Sequence, residues 1–186
     1  MTLPVMLLLA GCAPSVRMLR SEAEAGFDRP VQRMSILSTG QVPDTWTAEA
    51  QRFAMGFRDM AARCGIAAQV AVETRPGTLL RVPADGVEPL QDTYLVVSRP
   101  RTIVATTTQY GQIISRRQIG SIFNARLQDV ATGREVWRGE FNAVYRDVSN
   151  PETSQRLAEL IPNLVFNRMA QDGVLRQCAG RLPPTA

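Results

Sequence analysis

Apolar residues along this chain recur with two periods, and the change from one to the other marks the element boundaries. Trp46, Ala50, Phe53, Ala54, Phe57, Met60, Ala61 and Cys64 keep a 3–4 spacing that predicts one amphipathic helix. Asp44 or Thr45, next to Pro43, caps its start, and Gly65 is the expected stop. On either side of it the spacing drops to strand character. Met34 to Leu37 is a short apolar run, and Ile66, Ala68, Val70 and Val72 alternate with smaller or polar residues. Residues 13–30 hold no sustained period and read as a tether. Residues 74–91 carry three prolines and two glycines and read as a long loop, with room for a short strand at Leu79 to Val82.

From Asp92 onward strands dominate. Thr93 to Ser98 and Thr102 to Thr108 are rich in apolar and β-branched residues. Ile119, Ser121, Phe123, Ala125 and Leu127 share one face of a further strand, opposite Asn124, Arg126 and Gln128. Asp129-Val-Ala-Thr-Gly133 predicts a hairpin turn with Gly133 at positive φ. The return strand groups Trp137, Phe141, Ala143 and Tyr145 against Arg138, Glu140 and Asn142. Ser149-Asn150-Pro151-Glu152 then opens a helix bearing Leu157, Leu160, Ile161, Leu164, Val165 and Met169, stopped by Gly173. Pro162 inside it predicts a kink or a split near Ile161. The order strand, helix, strand, antiparallel meander, helix predicts an α+β fold, with two helices packed on one face of a mostly antiparallel sheet.

The 186 residues fit one domain, with 45% hydrophobic and 20% charged residues and a net charge of +4. No apolar run is long enough to span a bilayer as a helix. All 21 basic residues are arginine, a side chain suited to bidentate phosphate or carboxylate contacts. Histidine is absent, so Ser–His and Cys–His nucleophilic arrangements and Cys/His metal sites are ruled out. No glycine-rich phosphate loop precedes a helix. Conceivable carboxylate pairs, such as Asp129 with Glu135 and Asp85 with Glu88, fall in turns or loops and read as solvated surface. The expectation is a protein that is not an enzyme, with no cofactor and no metal. Arg99, Arg101, Arg116 and Arg117 flank Thr102 to Ser115, so a hairpin there would gather them at one end. Such a group could hold an anionic ligand, or it could protect the ends of aggregation-prone strands.

The first twelve residues change the picture most. An uncharged apolar run from Leu3 ends in Leu9-Ala10-Gly11-Cys12, which resembles a bacterial lipobox. Met1 to Pro4 lacks the basic residues that a signal segment normally carries, which points to a start codon further upstream. The resemblance implies a signal peptide over residues 1–11, cleavage before Cys12, and diacylglycerol and fatty-acyl (palmitate) chains on that cysteine. Residues 12–30 would be the tether and 31–186 a single α+β domain. Ala13, in place of the aspartate that favours inner-membrane retention, implies the outer membrane, with the domain on the periplasmic face. Cys64 and Cys178 are then the remaining thiols; either they form a disulfide, as export permits, or Cys64 is an unpaired thiol on the apolar helix face.

With the lipobox, the strand–helix opening, the meander through Asp129-Val-Ala-Thr-Gly-Arg-Glu-Val-Trp and the helix after Tyr145-Arg146-Asp147, the layout resembles that of small outer-membrane lipoproteins. These include the lipopolysaccharide-assembly lipoproteins and other periplasmic accessory lipoproteins. The resemblance implies a membrane-anchored assembly or accessory factor that binds an envelope protein partner and no nucleic acid. The alternative is a binding module for an anionic envelope glycolipid, with the arginines at 99, 101, 116 and 117 as its ligands.

Overall fold

The computed structural model describes residues 13–39, 47–75, 78–82, 92–106, 117–145 and 151–185. Seven strands, β1 (Ser15–Ala23), β2 (Arg33–Thr39), β3 (Ala67–Arg75), β4 (Thr78–Val82), β5 (Thr93–Thr106), β6 (Arg117–Asp129) and β7 (Glu135–Tyr145), form one sheet in the order β1-β7-β6-β5-β2-β3-β4. β2 lies parallel to both β3 and β5, and every other pairing is antiparallel. Helices α1 (Thr47–Arg63) and α2 (Pro151–Gln171) complete an α+β fold.

The core lies between the helices and one sheet face. In register across five strands, Val70, Ile36, Leu95, Leu127 and Trp137 form one row, and all five are buried. α1 adds Ala50, Ala54, Phe57 and Ala61, and α2 adds Ile161, Val165, Phe166 and Met169. This single cluster unites both helices with the same face of the sheet. Phe57 meets Phe53 at 5.0 Å edge to face and Phe166 at 6.4 Å. The Trp137 indole lies so close over Gly139 that a Cβ there would meet its ring at 2.5 Å. Its Nε1–H donates to Asp172 at 2.8 Å, just past the end of α2, so the largest core side chain also has its polar atom satisfied.

Local signals hold where expected. Gly65, Gly133 and Gly173 all have positive φ, ending α1, turning the β6–β7 hairpin and closing α2. Three expectations change. The stretch expected as a tether contains β1, paired with β7 from Ser15↔Val144 to Ala23↔Trp137. A bulge at Leu19 breaks its alternation, and its later inward positions, Ser21 and Ala23, are small, so only Val16 and Met18 signal a strand. Thr93–Ser98 and the segment from Thr102 lie on one strand, β5, with an extra residue at Arg99-Pro100. A bulge suits a proline, which has no N–H for the ladder. Finally, α2 runs through Pro162 as one element. The helix cap at 43–46 and the capping box at 149–150 lie outside the described residues.

Candidate functional site

The described polar groups collect in three places. At the end of the sheet where β5 begins, Asp92 and Asp129 organise four chain segments. The Asp92 carboxylate accepts from the backbone N–H of Gln32 and Arg33, at 3.1 and 2.9 Å, and from the Arg33 guanidinium at 3.1 Å. Asp129 accepts from the Ala131 N–H at 3.0 Å and the Thr132 hydroxyl at 2.9 Å, which fixes the hairpin turn. Arg29 donates to the same carboxylate and to the Asp92 carbonyl. Asp129 is therefore buried and paired, which corrects its reading as a solvated surface group. Its sequence neighbour Glu135 faces Arg126 at 3.8 Å, across the exposed side of the sheet, and shares no proton site with it. Asp85 and Glu88 lie outside the described residues.

These geometries separate the two carboxylates by measurement. Asp129→Ala is expected to cost about 2 kcal/mol, because it frees the turn amide and leaves Arg29 without its charged acceptor. Glu135→Ala should stay within about 0.5 kcal/mol, as for other exposed ion pairs. Urea midpoints of the two variants check both values.

The second place is the sheet face turned away from the helices. Arg20 donates twice to Glu140, at 3.0 and 2.7 Å, and Arg138 pairs with Glu22. The hydrogen bond and charge of Glu22 raise the Arg138 pKa. These pairs, with Asn124 and Arg126, border an open cleft of about 220 Å³. Beside it, in register with Arg126, run Val96, Leu37 and Ala71, all half-buried without a helix above them. Tyr94 shares this face, and burial raises its phenol pKa.

The third place is the disulfide. Cys64, at the end of α1, is bonded to Cys178, with Cα atoms 4.5 Å apart. Both residues are buried. The bridge resolves the two readings left open by the sequence. It holds the C-terminal segment, which Gln177 also ties to the Val31 carbonyl at 2.7 Å and Asn167 to the Pro183 carbonyl at 3.0 Å.

Of the residues singled out by sequence, Cys12 and Arg116 lie outside the described residues. Arg99 sits at the β5 bulge. The ladder places Arg101 opposite Ile122 and Arg117 opposite Thr106, five rungs further along. Their backbones are thus spread over about 17 Å at 3.3–3.4 Å per residue, so the hairpin strings the arginines along its length and does not gather them at one end. Among the described residues no three His, Cys, Asp or Glu side chains group as metal ligands, and no helix is long and apolar enough to cross a membrane, which says nothing of a β-barrel. The ion pairs of β1 were missed by sequence reasoning, because the bulge at Leu19 breaks the alternation that would have set Arg20 and Glu22 on one face with Arg17.

No protein-family model matches the chain, and no curated protein matches it. Solved structures resemble it only remotely. The PelC dodecamer of Paraburkholderia phytofirmans is 17% identical over 80% of this chain and 97% of that one, with a TM-score of 0.40. Lipoprotein GNA1162 of Neisseria meningitidis is 20% identical, covering 74% and 99%, with a TM-score of 0.35. Protein XCC0632 of Xanthomonas campestris is 14% identical, covering 89% and 94%, with a TM-score of 0.33. Similarity at this level assigns no function, and the functional reading rests on the residues themselves.

Proposed function

We propose that this chain is a lipid-anchored envelope protein of the outer membrane that acts without catalysis, as an assembly or accessory factor holding an envelope protein partner. The observation that carries the reading is the buried Cys64–Cys178 bridge. A structural disulfide persists in oxidising compartments and is rare in the cytosol, so the bridge supports export. The Leu9-Ala10-Gly11-Cys12 stretch supports a lipid on Cys12, and Ala13 supports the outer membrane as destination. Acyl chains bury about 0.8 kcal/mol per methylene, and two or more of them anchor stably.

Absence of histidine removes the usual general base, and the two described carboxylate centres are held by arginines and backbone amides. Binding is the activity that fits such groups. The surface offered is the sheet face without helices, where Leu37, Val96 and Tyr94 adjoin the Arg20–Glu140 and Arg138–Glu22 pairs. An apolar centre with a polar rim is the usual composition of a protein interface.

In cells given an alkyne analogue of palmitate, label is expected on the wild-type chain and absent from Cys12→Ser, which should leave the membrane fraction. A labelled Cys12→Ser chain would overturn the anchor. For the partner, a photocrosslinking residue at Val96 should capture one protein from intact cells, and the same residue at Met55, on the exposed side of α1, should not. Equal capture at both positions, or capture of glycolipid alone, would overturn the protein-binding role.

A further inference from the structure

We infer that the sheet end carrying Ser15, Val144 and the β5–β6 extension is the membrane-facing end of the domain, lying against anionic lipid headgroups. The inference rests on Cys12 being the lipidated residue. Three peptide steps separate Cys12 from Ser15, the first residue of β1, and three extended residues reach at most about 11 Å. Because β1 is part of the sheet, no tether intervenes, and the anchor holds this end of the domain within about 11 Å of the bilayer surface.

The register states what else stands at that level. Ser15 is in line with Val144, Gly120 and Ile103. β5 and β6 continue beyond this row by three further rungs, Val104↔Ile119, Ala105↔Gln118 and Thr106↔Arg117. At 3.3–3.4 Å per residue that is about 10 Å in the direction in which β1 points back toward Cys12. The hairpin thus extends about as far as the lipidated cysteine can reach, and residue 117 stands at headgroup level.

The charges on these four strands are sorted accordingly. Beyond the row Arg20–Glu140–Asn124–Ser98, strands β1, β7, β6 and β5 carry Arg17, Arg99, Arg101 and Arg117 and no acidic residue. From Thr93 to Gln128 the sequence has no Asp or Glu at all. The acidic groups Glu24, Asp28, Asp92, Asp129 and Glu135 belong to the opposite end. Outside these four strands, Glu49 and Glu152, in the first turns of α1 and α2, lie toward the membrane-facing end, and Glu73 on β3 is level with Ser98. Basic residues held near an anionic bilayer surface strengthen association about fivefold each, and arginine is suited to phosphate oxygens. The register sets residue 117 at headgroup level and residues 17 and 101 five rungs, about 17 Å, behind it, so the arginines act as the excess positive charge of this end and not as one cluster.

The test uses the full lipidated chain, with its disulfide intact, in vesicles of phosphatidylcholine mixed with phosphatidylglycerol. A fluorophore is placed on Thr106→Cys or on Val130→Cys, the latter at the exposed turn of the opposite end, and a spin-labelled headgroup lipid acts as quencher. Mass analysis of the N-terminal peptide reports whether Cys12 carries lipid. The expected result is a lipidated Cys12 with several-fold stronger quenching at 106 than at 130. Replacing Arg17, Arg101 and Arg117 with glutamine should reduce that difference, as should phosphatidylcholine alone. A lipidated Cys12 with equal or reversed quenching overturns the orientation and leaves the anchor standing. A lipidated chain whose bias ignores both the arginines and lipid charge overturns the headgroup contact. A Cys12 without lipid overturns the anchor and the orientation together.

Discussion

Replacing Gly56 with alanine is expected to destabilise the protein by about 2–3 kcal/mol, near the upper end of overpacking costs. In an exposed helix interior the same change stabilises by about 1 kcal/mol, so the sign alone is informative. The reason lies in the partner helix. Pro162 has no N–H, so the Ala158 carbonyl one turn earlier lacks its usual intrahelical donor. α1 packs Gly56 directly onto that carbonyl. A Cβ at position 56 would lie 2.3 Å from the Ala158 oxygen and 3.2 Å from Cγ of Pro162. A backbone oxygen cannot rotate aside, so the helices must separate and open the core around Phe57 and Phe166. The variant's urea midpoint should fall with its slope unchanged, and its Tm by roughly 5–10 °C. A midpoint at or above that of the wild type would mean that the two helices are free to move apart.

Loss of the Cys64–Cys178 bridge should have the largest effect. It closes a loop with a sequence separation of 114, and in the chain-entropy treatment a loop of that size is worth about 4–5 kcal/mol. Denatured chains that keep residual structure lower this figure, so about 3–5 kcal/mol is expected for Cys64→Ala/Cys178→Ala. The wild type should show the same fall in midpoint when reductant is added, and the double variant should not respond to it. Hydrogen exchange should locate the loosening in residues 174–185, whose other ties to the domain include the buried Val174 and Leu175, the packing of Leu182 and the contacts of Gln177, Asn163 and Asn167. A wild-type midpoint indifferent to reductant would show that the C-terminal segment is held by packing alone. The prediction also bears on compartment, because a domain this dependent on its bridge would be compromised in a reducing cytosol.

Much of the fold was legible because its signals are local. The apolar spacing of α1 from Ala50 to Cys64, the alternation of β3 through Ala68, Val70 and Val72, and the Asp129–Gly133 turn each sit within a few residues. Positive-φ glycines at 65, 133 and 173 mark stops for a reason internal to the backbone. β1 was illegible for the opposite reason. An edge strand with one solvated face, a bulge at Leu19 and small inward residues needs β7 beside it before it reads as a strand at all. The arginines were visible as residues, but their spread along the ladder depends on where the β5–β6 pairing starts, and an alternating pattern does not fix that register.

By itself the sequence determined most elements other than β1, the α+β class and the want of histidine chemistry, since period, turn residues and composition are properties of short stretches or of simple counts. Tertiary structure alone decided that Cys64 finds Cys178, that Arg29 and the hairpin turn share the buried Asp129, that β2 lies between β3 and β5, and that Gly56 meets the carbonyl Pro162 leaves open. The first two of these join residues 114 and 100 positions apart. Such contacts form only after loop closure has brought distant segments together, and no short window of the chain encodes the partner.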